Sequence, residues 1–239
     1  QTIVAAVSIP PQGFLLQRVG GDRVEVLVVV QQGQAPETYE PTAQQLVELA
    51  GAKTYFAIGL SFETALLDKI AGTMPNLHVV DTREGIQLRP LDKGVHDAHV
   101  DQEPTTHGEP VMDPHIWLSP RNAKTMARTM ERELVRLDPE GSEQYEKNLM
   151  ALDAELDRLD ATIAAILKPL AGSEVLVYHP AFGYLTDAYG LHQVAIETAG
   201  KEPGPKELAQ ILKRAKGTGI KVVFVQPEFS DSSARAIAE

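Results

Sequence analysis

The chain has 239 residues, 43% of them hydrophobic, enough for one large domain or two smaller lobes with a substantial core. A formal charge of −11 disfavours nucleic acid and an anionic membrane surface as partners and suits neutral or cationic ligands, although a solubilising acidic surface would give the same value. The absence of cysteine excludes disulfides, a thiolate metal site and a cysteine nucleophile.

Gln1 leads directly into a strand-like stretch at 2–9, with no Met, no basic region and no membrane-length apolar run. A secreted chain reads this way once its signal peptide is removed. Apolar runs of strand length then alternate with amphipathic stretches: helix 11–20, strand 23–30, helix 42–50, strand 54–58, helix 62–72 and strand 77–80. That alternation predicts parallel strands with crossover helices. Thr42 and Gln45 form a capping box, so the loop 31–41, which carries Glu37, ends at a marked helix start.

From Asp81 to Met112 the pattern gives way to about thirty residues rich in Gly, Pro, Asp and His, too long for an ordinary connection and expected to be functional. His96, His99 and His107 lie within it. His115 follows, in a loop just ahead of Ser119 and Pro120, a good N-cap and a good first helical residue for the helix 120–137. A lone histidine there is more often structural than functional unless partners lie elsewhere in the fold.

Tyr145, Leu149, Leu152, Leu156, Leu159, Ile163 and Ile166 alternate in steps of four and three, predicting one helix of about 25 residues and roughly 37 Å. A seam of about three heptads is at the threshold for a coiled-coil dimer. An intramolecular spine between two lobes is the preferred reading. The domain boundaries expected are 1–138, 139–169 for the linking helix, and 170–239. The last lobe reads as strand 174–178, helix 181–189, strand 192–197, helix 205–216, strand 221–225 and a helix from 230 or 231. With four strands in the first lobe and three in the second, a further C-terminal strand and helix are expected beyond Glu239.

Ligands of an open parallel sheet bind where strand C-termini deliver their loops. Glu37, His115, His179 and Glu228 each follow a predicted strand on that edge. Two imidazoles and a carboxylate suit a borderline divalent ion such as Zn²⁺ or Mn²⁺. The common enzyme signatures are absent: no His-Glu-x-x-His, no phosphate loop, no Gly-x-Gly-x-x-Gly after the first strand, and no nucleophile elbow at Ser8 or Ser173.

Four stretches carry a more specific signal: Gly33-Gln34-Ala35-Pro36-Glu37-Thr38-Tyr39-Glu40-Pro41, Asp113-Pro114-His115-Ile116-Trp117-Leu118-Ser119-Pro120, His179-Pro180-Ala181-Phe182-Gly183-Tyr184-Leu185 and Lys201-Glu202-Pro203-Gly204-Pro205-Lys206-Glu207-Leu208. In that order they resemble the metal-binding proteins of zinc and manganese ABC importers, over essentially the whole chain. The resemblance implies two α/β lobes tied by a long rigid helix, with one metal ion in the cleft. It implies His115 and His179 as ligands, together with the residue after the proline of the first stretch. That residue is usually His in the family and is Glu37 here, which leaves metal preference open. The family's fourth, acidic ligand would fall beyond Glu239. The segment 92–109 resembles the His-rich insertion of the zinc-uptake branch, making His96, His99 and His107 accessory contributors, whereas His78 and His192, inside strands, read as structural.

The leading expectation is an extracytoplasmic solute-binding protein, free or lipid-anchored, that captures Zn²⁺ and hands it to a membrane ABC permease as a monomer, without making or breaking a bond. A manganese-specific protein of the same kind is the nearest alternative. Readings of other classes are a zinc-dependent hydrolase, with Glu37 or Glu228 as base, and an adhesin that carries a metal site.

Overall fold

The computed structural model describes residues 2–36, 39–92, 110–197, 204–218 and 223–225. The chain divides into two compact units, Gln1–Gln87 with Ser119–Thr162, and Leu88–Leu118 with Ile163–Glu239. Each is built on a parallel sheet, as the strand–helix alternation predicts. No helix among the described residues is long and apolar enough to cross a membrane.

In the first unit, β1 (Ile3–Val7), β2 (Val24–Val28), β3 (Thr54–Ala57) and β4 (His78–Asp81) lie in the order β2-β1-β3-β4, all parallel. Ala5, Ala6 and Val7 of β1 and Tyr55 and Phe56 of β3 are buried, as strands covered on both faces must be. The crossovers run through α1 (Pro10–Gly20), α2 (Ala43–Ala50) and α3 (Glu63–Thr73). The capping box at Thr42 and Gln45 is formed. The turn between β3 and α3 is held from inside: the buried Glu63 carboxylate accepts the backbone N–H groups of Ile58, Gly59 and Leu60 at 3.0, 2.6 and 3.1 Å, and the Ser8 hydroxyl also donates to it. Burial pushes this carboxyl above its ordinary range, against the pull of those hydrogen bonds.

Helix α4 (Pro120–Leu137) starts as expected, with the Ser119 hydroxyl accepting from the Asn122 N–H and Pro120 at the first position. It buries Ala123, Met126, Ala127, Met130 and Leu134, one stripe at helical spacing, and packs against α1. Helix α5 (Ser142–Leu167) runs 26 residues, and only the early part of its apolar seam is buried: Tyr145, Leu152 and Leu156 are inside, while Leu159 and Ile166 are exposed. Beside the seam runs a ladder of ion pairs, Arg121 with Asp160, Lys124 with Asp157 and Arg128 with Asp153, at 3.2, 2.5 and 2.6 Å. As the first partner moves up α4 the second moves down α5, so the two helices are antiparallel. Exposed pairs of this kind contribute little energy each and chiefly fix register.

In the second unit, β5 (Glu174–Val177), β6 (His192–Ala195) and β7 (Val223–Phe224) form a parallel sheet in the order β6-β5-β7, with α6 (Gly183–Ala188) and α7 (Pro205–Thr218) beside it in the chain. Leu176, Val177, Val194, Ala195 and Ile196 make its buried centre. The helix expected from 230 or 231 lies outside the described residues. The contiguous boundaries expected from the sequence differ from the observed division. Leu88–Leu118 folds with the second sheet, through Arg89 to Asp187 at 2.8 Å and Tyr184 to the Asp113 carbonyl at 2.9 Å, and α4 with most of α5 belongs to the first unit.

The turn between α4 and α5 yields a testable consequence. Asp138 receives Arg23 Nε and Nη2 at 2.7 and 2.9 Å and the Tyr145 hydroxyl at 2.7 Å. The Arg23 hydrogen bonds, then that of Tyr145, push its carboxyl down to about 2. A depressed folded-state pKa contributes stability that is fully present above the ordinary aspartate value and lost as pH falls through about 2. Asp138→Asn should therefore melt below the parent near neutral pH, and the gap in Tm should close as pH is lowered from about 4 to about 2. A gap that stays constant across that window would place the effect in packing rather than in the ion pair.

Candidate metal centre

In a sheet ordered β6-β5-β7 the chain leaves β5 to one side and returns on the other, so the C-terminal end of β5 is the switch point where ligands of parallel sheets are held. His179 stands there, two residues past Val177. His115 arrives from a different part of the same unit, just ahead of the 3-10 turn Ile116–Leu118. Both side chains are buried, and their Nε2 atoms face each other at 3.1 Å with the rings edge to face.

The far nitrogen of each ring is tied to a buried carboxylate. His115 Nδ1 lies 2.7 Å from Asp113 Oδ1, which also accepts the His115 backbone N–H at 2.9 Å. His179 Nδ1 lies 2.6 Å from Glu197 Oε1. A carboxylate only accepts, so each Nδ1 is the donor, and in the tautomer this selects each Nε2 lone pair points towards the other ring. Two lone pairs held face to face repel unless a proton or a metal ion lies between them. Two nitrogens bound to one tetrahedral ion at about 2.0–2.1 Å sit roughly 3.3 Å apart, close to the separation found here. The carboxylate–histidine pairing is the arrangement that fixes tautomer and ring orientation around metal ions.

Asp113 and Glu197 were not singled out from sequence. Asp113 was legible, two residues before His115. Glu197 was not, because it reaches His179 by strand register: Val177 pairs with Ala195, and both chains run on two residues further. Trp117, the chain's one tryptophan, lies 5.2 Å from the His115 ring, centroid to centroid. Among the described residues no third His, Asp or Glu joins the two imidazoles in a metal-holding group. Glu37, Glu228, His96, His99 and His107 lie outside the described residues. His78 is paired with Glu133 at 2.8 Å in the first unit, and His192 opens β6 at an exposed position.

This chain is similar to proteins of metal uptake. The high-affinity zinc uptake system protein ZnuA of Bacillus subtilis is 29% identical over 232 residues, covering 95% of this chain and 72% of the relative. A crystal structure of ZnuA superposes with a TM-score of 0.89 at 40% identity, covering 100% of this chain and 88% of that one. A zinc-bound ZnuA deletion mutant gives 0.87 at 39%, covering 100% and 86%. The family model of ZnuA, the zinc-uptake complex component A, periplasmic, matches residues 5–239. A site of two carboxylate-anchored imidazoles at the switch point of a parallel sheet is thus found in a chain that belongs to the periplasmic zinc-uptake component family.

Proposed function

We propose that this chain captures one Zn²⁺ ion outside the cytoplasm and delivers it, as a monomer, to a membrane ABC permease. The ion is cargo, and it leaves chemically unchanged. The observation that carries this reading is the opposed pair of Nε2 atoms at 3.1 Å, each ring anchored through Nδ1 on a buried carboxylate. His115 and His179 are the first two ligands, and Glu37 is the third. His96, His99 and His107 have a weaker accessory role, since a long segment loses conformational entropy whenever it closes on an ion. Mixed nitrogen and oxygen ligands place zinc above manganese in affinity. Membership of a family of periplasmic transport components supports a carrier over a hydrolase.

His115→Ala and His179→Ala should each weaken Zn²⁺ binding by more than the roughly 10–100-fold typical of changes outside the first ligand shell, with the apo circular dichroism spectrum unchanged. Trp117 fluorescence, 5.2 Å from the His115 ring, provides the readout in a chelator competition. Parent-like affinity in either variant would place the ion elsewhere. Glu37 sets preference in this reading, because a carboxylate is a harder ligand than imidazole. Glu37→His should raise the zinc-over-manganese affinity ratio, and Glu37→Ala should weaken both metals. Identical ratios in parent and both variants would remove Glu37 from the site.

A further inference from the structure

Asp113 is fully buried and carries His115 on one oxygen, and its other oxygen is held by Arg89, whose Nη1 lies 3.1 Å from Asp113 Oδ2. The same guanidinium reaches Asp92 through Nη2 at 2.8 Å and Asp187 through Nε at 2.8 Å. Burial alone would lower the Arg89 pKa, but the carboxylates raise it well above the ordinary arginine value. The backbone locks the arrangement. The Leu91 N–H donates to the Val111 carbonyl and the Asp113 N–H to the Arg89 carbonyl, both at 2.9 Å, around an antiparallel bridge between Pro90 and Met112. The Tyr184 hydroxyl accepts from the Arg89 N–H and donates to the Asp113 carbonyl. At Gly183 there is no room for a side chain, since a Cβ would land on the Arg89 guanidinium and 2.8 Å from Asp113 Oδ2.

We propose that Arg89 is a positioning residue for metal capture, holding Asp113 Oδ2 so that Oδ1 sets the tautomer and orientation of His115. This rests on the reading of His115 as a ligand. The physical argument concerns degrees of freedom and charge. A carboxylate held at one oxygen can swing about its last torsion, and one held at both oxygens cannot, so the ring it anchors is fixed with it. A buried carboxylate whose partner is a neutral imidazole is also poorly compensated, and the guanidinium supplies the missing charge. Arg89 also binds Asp92, so one guanidinium joins the stretches around positions 92 and 113. Arginine suits the task because its planar fork addresses several carboxylates at once, which a lysine ammonium does less well.

The test is a double-mutant cycle on the full chain with Zn²⁺ as probe, using Arg89→Gln, Asp113→Asn and their combination, with Co²⁺ absorption as a report on ligand geometry. Arg89→Gln should weaken Zn²⁺ about tenfold, the lower end of what outer-shell partners cost, and shift the visible Co²⁺ bands. In the Asp113→Asn background it should add almost nothing, because its effect passes through Asp113. Arg89→Lys should give an intermediate loss, and it replaces the glutamine variant in the cycle if that variant fails to fold. Arg214→Gln, which removes the ion pair with Glu174 in the same unit, should leave affinity and Co²⁺ bands unchanged. Equal losses with and without Asp113, or no loss from either Arg89 variant while His115→Ala abolishes tight binding, overturns the role of Arg89. Parent-like binding by His115→Ala instead overturns the site itself.

Discussion

Two imidazoles whose Nε2 atoms face each other at 3.1 Å need a proton or a metal ion shared between them, and the second unit is organised to maintain that contact. His179 can be there because β5 is the central strand and ends at the switch point. Asp113 and Glu197 keep both rings turned the same way by accepting from Nδ1, and burial strengthens each of those contacts. In the function proposed above, an ion shared between these two nitrogens would couple metal affinity to folding.

Burying a carboxylate beside each ring is itself unfavourable, and for Asp113 the structure compensates it locally. Asp113 has the Arg89 guanidinium, a backbone N–H and the imidazole. The carboxylate–histidine pairs are consequently parts of a wider polar framework that includes Tyr184, Asp187, Asp92 and Gln193. Such a framework tolerates little loss, because removing one member leaves another buried and unpaired.

The first unit follows the same topology with different means. Its central strands end at a buried carboxylate, Glu63, satisfied by three backbone N–H groups and the Ser8 hydroxyl rather than by histidine. Its long helices are registered by the ladder from Arg121–Asp160 to Arg128–Asp153, and Asp138 closes the turn between them on Arg23 and Tyr145. Family membership places this architecture among periplasmic zinc-uptake components.

Local chemistry made much of the molecule legible in advance. Hydrophobic period, the Thr42 capping box, the Ser119-Pro120 start and the 26-residue helix α5 depend on neighbours within a few positions, and the structure has them nearly where expected. His115 and His179 were legible as residues that follow strands, and their motifs pointed to a metal carrier. Their meeting was decided by tertiary structure, since 64 positions separate them and only the folding of Leu88–Leu118 onto the second sheet brings them within 3.1 Å. The same holds for Glu197, placed by parallel register, and for Arg89, whose three carboxylates come from two stretches far apart in the chain. The division of the chain between the units was likewise invisible to periodicity, because a helix pattern such as that of α4 specifies an apolar face but not which unit will cover it.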